Sequence, residues 1–279
     1  MKVGTVALVG RPNTGKSTLV NNLIGTKVAI TSPKPQTTQF PLYAVYQDED
    51  SQIIFVDTPG IFAKADKAKK GINMAAEDVL HNERIDCVLY VIDPTRQKGM
   101  EENRVLGVMR KVTLPKFLVI NKVDIKEPSY KAQYKFMEEE FDQVFEVSAL
   151  KHNNFNYLLE AIKGVLKEGN PEVLREDMPT PAINMDANTF LEEIIREKIY
   201  LRLRREIPYH TKVVVDEVTE RPGNKTTYIR ARIITLARYK KMVIGLGGRR
   251  IKEIGGMARK ELEVATGRKI FLDLIVEEE

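Results

Sequence analysis

Gly10-Arg11-Pro12-Asn13-Thr14-Gly15-Lys16-Ser17 follows the apolar run Val6-Ala7-Leu8-Val9 and precedes Thr18-Leu19-Val20. The spacing G-x-x-x-x-G-K-S at a strand-to-helix junction is that of a P-loop. Backbone N–H groups of such a loop cradle phosphate oxygens, and the N-terminus of the following helix adds its positive dipole. Lys16 supplies a mobile cation, and the Ser17 hydroxyl can ligate Mg²⁺. Asn13, Thr14, Gly15, Lys16, Ser17 and Thr18 are therefore the candidate phosphate-binding residues. A glycine-rich turn with a chance Lys-Ser would not need the flanking strand and helix patterns, and both are present.

Later segments indicate which nucleotide. Ile53-Ile54-Phe55-Val56 reads as a buried strand and ends in Asp57-Thr58-Pro59-Gly60. A carboxylate at the C-terminal tip of a strand reaches Mg²⁺ through water, and the Gly60 N–H can meet a γ-phosphate. Phe117-Leu118-Val119-Ile120 ends in Asn121-Lys122-Val123-Asp124. A carboxylate there accepts from the N1–H and exocyclic amine of guanine. Adenine offers no such pair of donors, and the unmet carboxylate would be costly. Lys122 is expected along the base plane, and Asn121 is expected to tie this loop to the P-loop. After the strand Val144-Phe145-Glu146-Val147, the backbone of Ser148 and Ala149 can cap guanine O6. Together these segments predict a guanine-nucleotide domain that takes GTP and GDP with Mg²⁺.

Thr31-Ser32-Pro33-Lys34-Pro35-Gln36-Thr37-Thr38 carries two prolines and no apolar period, and it predicts a switch loop. One threonine would complete Mg²⁺ coordination in the triphosphate state; Thr38 is favoured over Thr37, and the sequence leaves both open. A second switch is expected from Gly60 to Gly71, where Lys64, Lys67, Lys69 and Lys70 mark a solvated segment. Ile61 stands where many GTPases place a glutamine that orients the attacking water, so slow intrinsic hydrolysis is expected. Asn13 is a candidate for compensation, because its amide oxygen can hold a monovalent cation such as K⁺ against the phosphates. Turning the loop through a side-chain to backbone hydrogen bond is an equal alternative for it. The catalytic candidates are Lys16, Thr38, Gly60 and Asn13, and the metal ligands Ser17, Thr38 and Asp57.

The 279 residues are 43% apolar and 30% charged, enough for one or two ordinary cores and unlike a disordered or fibrous chain. No apolar run approaches the length of a membrane span. Met1-Lys2-Val3-Gly4 enters a strand pattern without the layout of a signal peptide, so a cytoplasmic protein is expected. The single cysteine, Cys87, lies beside Val88-Leu89-Tyr90-Val91-Ile92 and reads as core filler in a reducing compartment. His81, His152 and His210 lack metal-ligand spacing.

Helical periodicity through Leu158, Leu159, Ile162 and Leu166 gives way to residues 167–181, which hold Pro171, Pro179 and Pro181. The expected organisation is a nucleotide domain at 1–170, a linker at 171–181 and a second domain at 182–279. Residues 180–279 hold 20 Lys+Arg against 15 Asp+Glu, so the chain's formal excess of +5 falls there. Within 225–272 the count is 13 basic against 3 acidic, and such a field selects a polyanion.

Phe190, Leu191, Ile194, Ile195 and Ile199 repeat at helical spacing, with Thr189 as the expected N-cap and Pro208 as the expected stop. Residues 212–218 and 227–236 alternate like strands joined by the turn sequence Arg221-Pro222-Gly223-Asn224. Gly245-Leu246-Gly247-Gly248 precedes a helix through Ile254, Ala258, Leu262 and Ala265, and residues 269–276 close as a strand. This order is similar to that of the type II KH domain common in bacteria. That likeness implies an RNA backbone approaching the G-x-x-G loop, with bases in an apolar groove between helix and sheet. Lys240, Lys241, Ile244, Gly245, Leu246, Gly247, Gly248, Arg249 and Arg250 are the candidate RNA-binding residues. The expected fold class is α/β, a doubly wound P-loop GTPase sheet followed by an α+β type II KH domain.

The set G-R-P-N-x-G-K-S, K-P-Q-T-T, D-T-P-G and N-K-V-D, followed by Ile207-Pro208-Tyr209 and residues 240–245, resembles the Era family of bacterial GTPases along essentially the whole chain. The resemblance implies binding of the 3′ region of 16S rRNA, assistance to maturation of the 30S ribosomal subunit, and peripheral association with the inner membrane. The chain departs from the family at Leu246 and Gly247, one of which is commonly lysine. It also departs at Gln39-Phe40-Pro41, where basic residues are usual, and at Leu274-Ile275, where a tryptophan is usual. Two competing functions are a binding module whose hydrolysis is incidental and an RNA-remodelling NTPase. The single P-loop favours the switch over a remodelling motor, and it sets the chain apart from the related GTPase Der, with its two nucleotide domains.

Overall fold

The computed structural model describes residues 1–29, 31, 41–62, 67–82, 84–173, 186–220 and 226–279, with 67–72, 82 and 220 described by backbone alone. They form two compact units, one within residues 1–173 and one within 186–279.

In the first unit β1 (Lys2–Val9) is the central strand, because Val6, Ala7, Leu8 and Val9 are all wholly buried and demand cover on both faces. β3 (Ser51–Asp57) and β4 (Cys87–Ile92) flank it in parallel, and β5 (Lys116–Ile120) and β6 (Gln143–Glu146) extend the sheet beyond β4. β2 (Leu42–Gln47) pairs antiparallel with β3, and the short β7 (Lys167–Glu168) pairs antiparallel with the start of β1. The order is β2-β3-β1-β4-β5-β6. The chain crosses from one side of β1 to the other between β3 and β4, and a doubly wound sheet binds ligands at the C-terminal ends of strands at such a switch.

Among the described residues, α1 (Lys16–Ile24), α2 (Lys67–Asn82), α3 (Met100–Met109) and α4 (Phe155–Val165) accompany the sheet, with a 3₁₀ segment at Lys131–Glu140. Ala76 and Val79 of α2 and Val105, Leu106 and Met109 of α3 share one core with Ala7, Val56, Val88, Tyr90 and Leu118 of the sheet. Each buried valine, leucine or methionine among them contributes roughly 1.5–3 kcal/mol by leaving water. Cys87 is fully buried within that sheet, as expected of core filler, and burial pushes its thiol up to about 12. Buried Gln52 clasps the chain after β7: its Nε2 donates to Val173 O (2.7 Å), and its Oε1 accepts from the Glu172 N–H (2.7 Å).

In the second unit the order is α5 (Ala187–Arg202), β8 (Thr211–Glu220), β9 (Thr226–Thr235), α6 (Ala237–Ile244), α7 (Arg249–Thr266) and β10 (Lys269–Glu278). β9 pairs antiparallel with β8 and parallel with β10, giving the sheet β10-β9-β8. Ile229, Ala231 and Ile233 of β9 are buried, as are Ile194 and Ile195 of α5 and Ile254, Ala258 and Leu262 of α7.

Two local expectations are corrected. The N-cap of α5 is Asp186, whose carboxylate accepts from the Thr189 N–H (3.0 Å); Thr189 donates to it from within the first turn. The helix also stops at Arg202, well before Pro208. Leu203 turns extended to bury its side chain, Arg205 takes a positive φ of 54°, and Ile207–His210 forms a separate 3₁₀ turn. The turn sequence 221–224 lies outside the described residues, as do residues 174–185 of the linker and boundary region.

Candidate functional site

The P-loop leaves β1 at Gly10, where a side chain is impossible: a Cβ would stand 2.4 Å from Val91 O. Gly15 takes a φ of 94° at the N-cap of α1, which suits glycine and aims the first amides of the helix into the loop. Lys16 folds back onto the loop's own carbonyls, with Nζ 3.1 Å from Gly10 O and 3.2 Å from Arg11 O. Burial pulls its pKa from 10.5 to about 8, against the pull of the Asp57 carboxylate. It is therefore a cation held by weak acceptors, ready for a phosphate. Thr14 is buried and Thr18 lies in the first turn of α1.

The Ser17 hydroxyl donates to Asp57 Oδ2 at 2.6 Å, so the tips of α1 and β3 bring a hydroxyl and a carboxylate together. These hard oxygens fit Mg²⁺, which takes one or two protein ligands and completes its shell with water and phosphate. Gly60 sits against the P-loop, where a Cβ would stand 2.7 Å from the Pro12 backbone. Thr37 and Thr38 lie outside the described residues, as does Lys64. From Lys67 onward the second switch region is already helical backbone.

Ile61 is wholly buried in the core beside Ala76 and Val79, and its N–H donates to Gly10 O at 3.2 Å. The position is a core seat. Ile61→Gln is expected to lower stability by about 1–3 kcal/mol through a buried, unmatched amide, and to leave the rate of GTP hydrolysis unimproved. Thermal melts and a single-turnover assay check both, and a tenfold faster variant would contradict the placement.

At the other end of the crevice Asn121 joins three segments. Its Nδ2 donates to Thr14 O (2.8 Å), and its Oδ1 accepts from the N–H groups of Lys122 (2.8 Å) and Ala149 (2.9 Å). The Ala149 amide, expected to cap guanine O6, is thus first engaged by Asn121. Lys122 Nζ reaches Asn13 O at 2.8 Å and pairs with Asp93 Oδ2 at 2.6 Å. Burial raises the Asp93 carboxyl, but hydrogen bonds from Lys122 and Thr95 outweigh it and hold the group below its ordinary value. The Ser148 hydroxyl donates to Asp124 Oδ1 at 2.6 Å, fixing the carboxylate expected to read the base. Asn13 has a φ of 64°. Sequence reasoning did not single out Asp93, although a carboxylate directly after a buried strand was a readable signal.

In the second unit α6 ends at Ile244, and Gly245, Gly247 and Gly248 all have positive φ (73°, 58° and 73°) before α7 begins at Arg249. The N–H groups of Gly245 and Gly248 donate to Lys241 O (2.9 Å) and Gly245 O (3.1 Å), and that of Arg249 to Leu246 O, so a tight glycine turn delivers the chain to the N-terminus of α7, whose dipole favours an anion. Leu246 at the tip is 88% exposed, and Lys241 and Arg249 are exposed as well. Two of the candidates are committed within the unit: Arg250 Nη1 donates to Met242 O (2.6 Å), and Lys240 pairs with Glu278 (3.1 Å).

Beside the loop runs a groove of about 410 Å³ between α7 and β10. Ile251, Gly255, Gly256 and Leu274 give it apolar walls and bare helix backbone, with Lys252 and Arg259 at its rim and Phe271 across from them. The sequence reading expected an apolar groove between helix and sheet and named Leu274 as a departure from the family, but it did not pick out the helical wall, although positions 251, 252, 255, 256 and 259 share one face of a helix and were legible as such. A Cβ on Gly255 would stand 3.3 Å from Leu274 Cδ1, while one on Gly256 would meet open space.

A family model described as "50S ribosome-binding GTPase" matches residues 5–122, and a KH-domain model matches residues 206–279. Curated proteins named GTPase Era match along nearly the whole chain. The one from Halothermothrix orenii is 39% identical and the one from Thermotoga maritima 40% identical, covering 99% of this chain and 92% and 91% of their own lengths. The chain belongs to the Era family of GTPases. A solved Era of Aquifex aeolicus, a variant bound to GDP and aluminium fluoride, has the same fold across 100% of this chain and 94% of its own, with 35% identity and a TM-score of 0.90. A solved Era in complex with MgGDPNP and nucleotides 1506–1542 of 16S ribosomal RNA matches with 35% identity, a TM-score of 0.89 and the same coverage. Among the described residues of this Era-family chain no helix is long and apolar enough to cross a membrane.

Proposed function

We propose that this Era-family GTPase is a GTP-hydrolysing switch that binds the 3′ region of 16S rRNA through its KH unit and assists assembly of the 30S subunit. The observation that carries the reading is the likeness, over the full chain, to an Era bound at once to MgGDPNP and to nucleotides 1506–1542 of 16S RNA. The "50S" in the family model's description belongs to a match confined to residues 5–122, which leave out the KH unit. Crosslinking the protein to cellular RNA and sequencing the fragments tests the assignment. Enrichment of the 16S 3′ end is expected; enrichment of 23S RNA or a scattered yield would overturn it. The cytoplasm is the compartment in which we place this activity, and peripheral membrane contact rests on the family resemblance alone.

In this reading Asn13, Thr14, Gly15, Lys16, Ser17 and Thr18 hold the phosphates, and Asp124, Lys122 and the Ser148-Ala149 backbone hold guanine. Asn121 couples the two regions. Ser17, Asp57 and Thr38 would hold Mg²⁺, which would supply positive charge to neutralise the phosphates. Lys16 exchanges its carbonyl partners for phosphate oxygens, and the Gly60 N–H donates to the γ-phosphate. On the RNA side Lys241, Leu246, Gly247, Gly248 and Arg249 face the backbone, while Lys240, Ile244, Gly245 and Arg250 shape the loop.

With Ile61 committed to the core, Asn13 is assigned the compensating role of holding K⁺ against the phosphates. Hydrolysis is expected to run several-fold faster in potassium than in sodium, and Asn13→Ala to erase that preference while nucleotide affinity changes little. Equal rates in the two salts would remove Asn13 from catalysis.

A further inference from the structure

Arg11, the first variable residue of the P-loop, is 3% exposed and aims into a polar core beneath the site. Its Nε pairs with Glu102 Oε2 at 2.9 Å, and Glu102, on α3, is wholly buried. The rest of the guanidinium donates to Gln97 O (2.9 Å), Asp93 O (3.1 Å) and Tyr134 Oη (2.9 Å). The Tyr90 hydroxyl donates to the second Glu102 oxygen at 2.5 Å.

The segment 93–97 answers in kind. Arg96 Nη1 donates to Pro12 O at 2.9 Å, and Asp93 holds Lys122, which donates to Asn13 O at 2.8 Å. Three successive P-loop residues, 11, 12 and 13, are therefore fastened to one segment after β4. The fastened residues are those before the phosphate cradle of Gly15, Lys16 and Ser17, and they end at Asn13 in its left-handed backbone conformation. A buried guanidinium and carboxylate fix geometry because breaking either leaves an uncompensated charge.

We propose that Arg11 and Glu102 are positioning residues for GTP hydrolysis, a buried pair that sets the backbone of Asn13 through the segment 93–97. The inference rests on the catalytic role assigned to Asn13 and assigns that role its support. Nucleotide binding, carried by the cradle and the base loop, depends on the pair far less than turnover does.

The test uses the full chain with Arg11→Lys, Glu102→Gln and Arg96→Ala. The first two keep size and lose the fork or the charge; Arg96 is half exposed, so its truncation leaves the core intact and removes the Pro12 contact. The expected result is a fall in kcat of about tenfold for Arg11→Lys and Glu102→Gln and about threefold for Arg96→Ala, with GDP affinity within about threefold of wild type. The potassium needed for half-maximal formation of the GDP–aluminium fluoride complex, read by fluorescent GDP, is expected to rise at least fivefold. Loss of GDP affinity in step with falling melting temperature, with the kcat of folded Arg96→Ala unchanged, would overturn the proposal. If the wild type shows no potassium dependence, the Asn13 cation site fails, and the split between kcat and GDP affinity decides the positioning role by itself.

Discussion

Asp124→Asn is expected to lose GTP by a factor on the order of 10² to 10⁴ and to gain xanthosine triphosphate, because a site built around a base's donors rejects one that lacks them. In the proposed reading the carboxylate accepts from guanine N1–H and the exocyclic amine, and the amide turns one of those acceptors into a donor facing that amine. Xanthine carries a carbonyl at that position and restores the pair. The structure supports the exchange, since Ser148 donates to Asp124 Oδ1 at 2.6 Å and can keep that oxygen in the amide, leaving Nδ2 for the base. Nothing in the core depends on the charge: Asp124 is only partly buried. Titration with fluorescent GDP and xanthosine diphosphate measures both halves, and a variant that still prefers guanine would remove Asp124 from base reading.

The other large effect lies in the KH unit. Gly248→Asp is expected to weaken binding of a 16S 3′-end oligonucleotide at least a hundredfold while leaving GTP affinity near normal. A Cβ at Gly248 meets nothing within 4 Å, and its φ of 73° is one that aspartate tolerates better than most residues, so the unit should fold. The carboxylate then stands at the N-cap of α7, on the bare turn where the proposed reading brings the RNA backbone, and repels its phosphates. Gly245 would be a poor probe, because its Cβ would stand 2.6 Å from Arg250 Cβ and 3.0 Å from the Arg250 backbone nitrogen. Arg249→Ala should reduce the salt dependence by about one phosphate contact; Arg250→Ala should instead loosen the loop, since its guanidinium holds Met242 O. Titrations at several salt concentrations separate these cases. Unchanged RNA affinity in folded Gly248→Asp would reduce the G-x-x-G to a helix-to-helix turn.

The gathering of the candidate nucleotide-site residues was legible because each part is a short contiguous segment at the end of an apolar run, where periodicity gives the strand and chemistry gives the tip. Asp57, Asn121, Lys122, Asp124 and Ser148 all lie at the C-terminal ends of strands, on one edge of one sheet. The Arg11–Glu102 pair was not legible, since the partners lie far apart in the sequence and only packing of α3 on the sheet brings them together. Glu102 reads in sequence as one of many helical surface acids. The Asp186 cap was missed because the apolar repeat begins at Phe190 and drew the boundary with it. At Leu203 burial of one side chain ended a helix that propensity alone would have carried toward Pro208.

Gly15 and Asn121 also constrain one another as an inherited pair. A Cβ on Gly15 would stand 2.3 Å from Asn121 Nδ2, and the same amide nitrogen donates to Thr14 O at 2.8 Å. The glycine before the lysine and the asparagine of N-K-x-D are thus two halves of one packing contact formed by the protein itself. A descendant that lost all use for GTP would still be selected, by folding, to keep a residue without a side chain at one position and a compact amide at the other. Two of the most recognisable letters of the signature would then persist as fossils of architecture after the chemistry had gone.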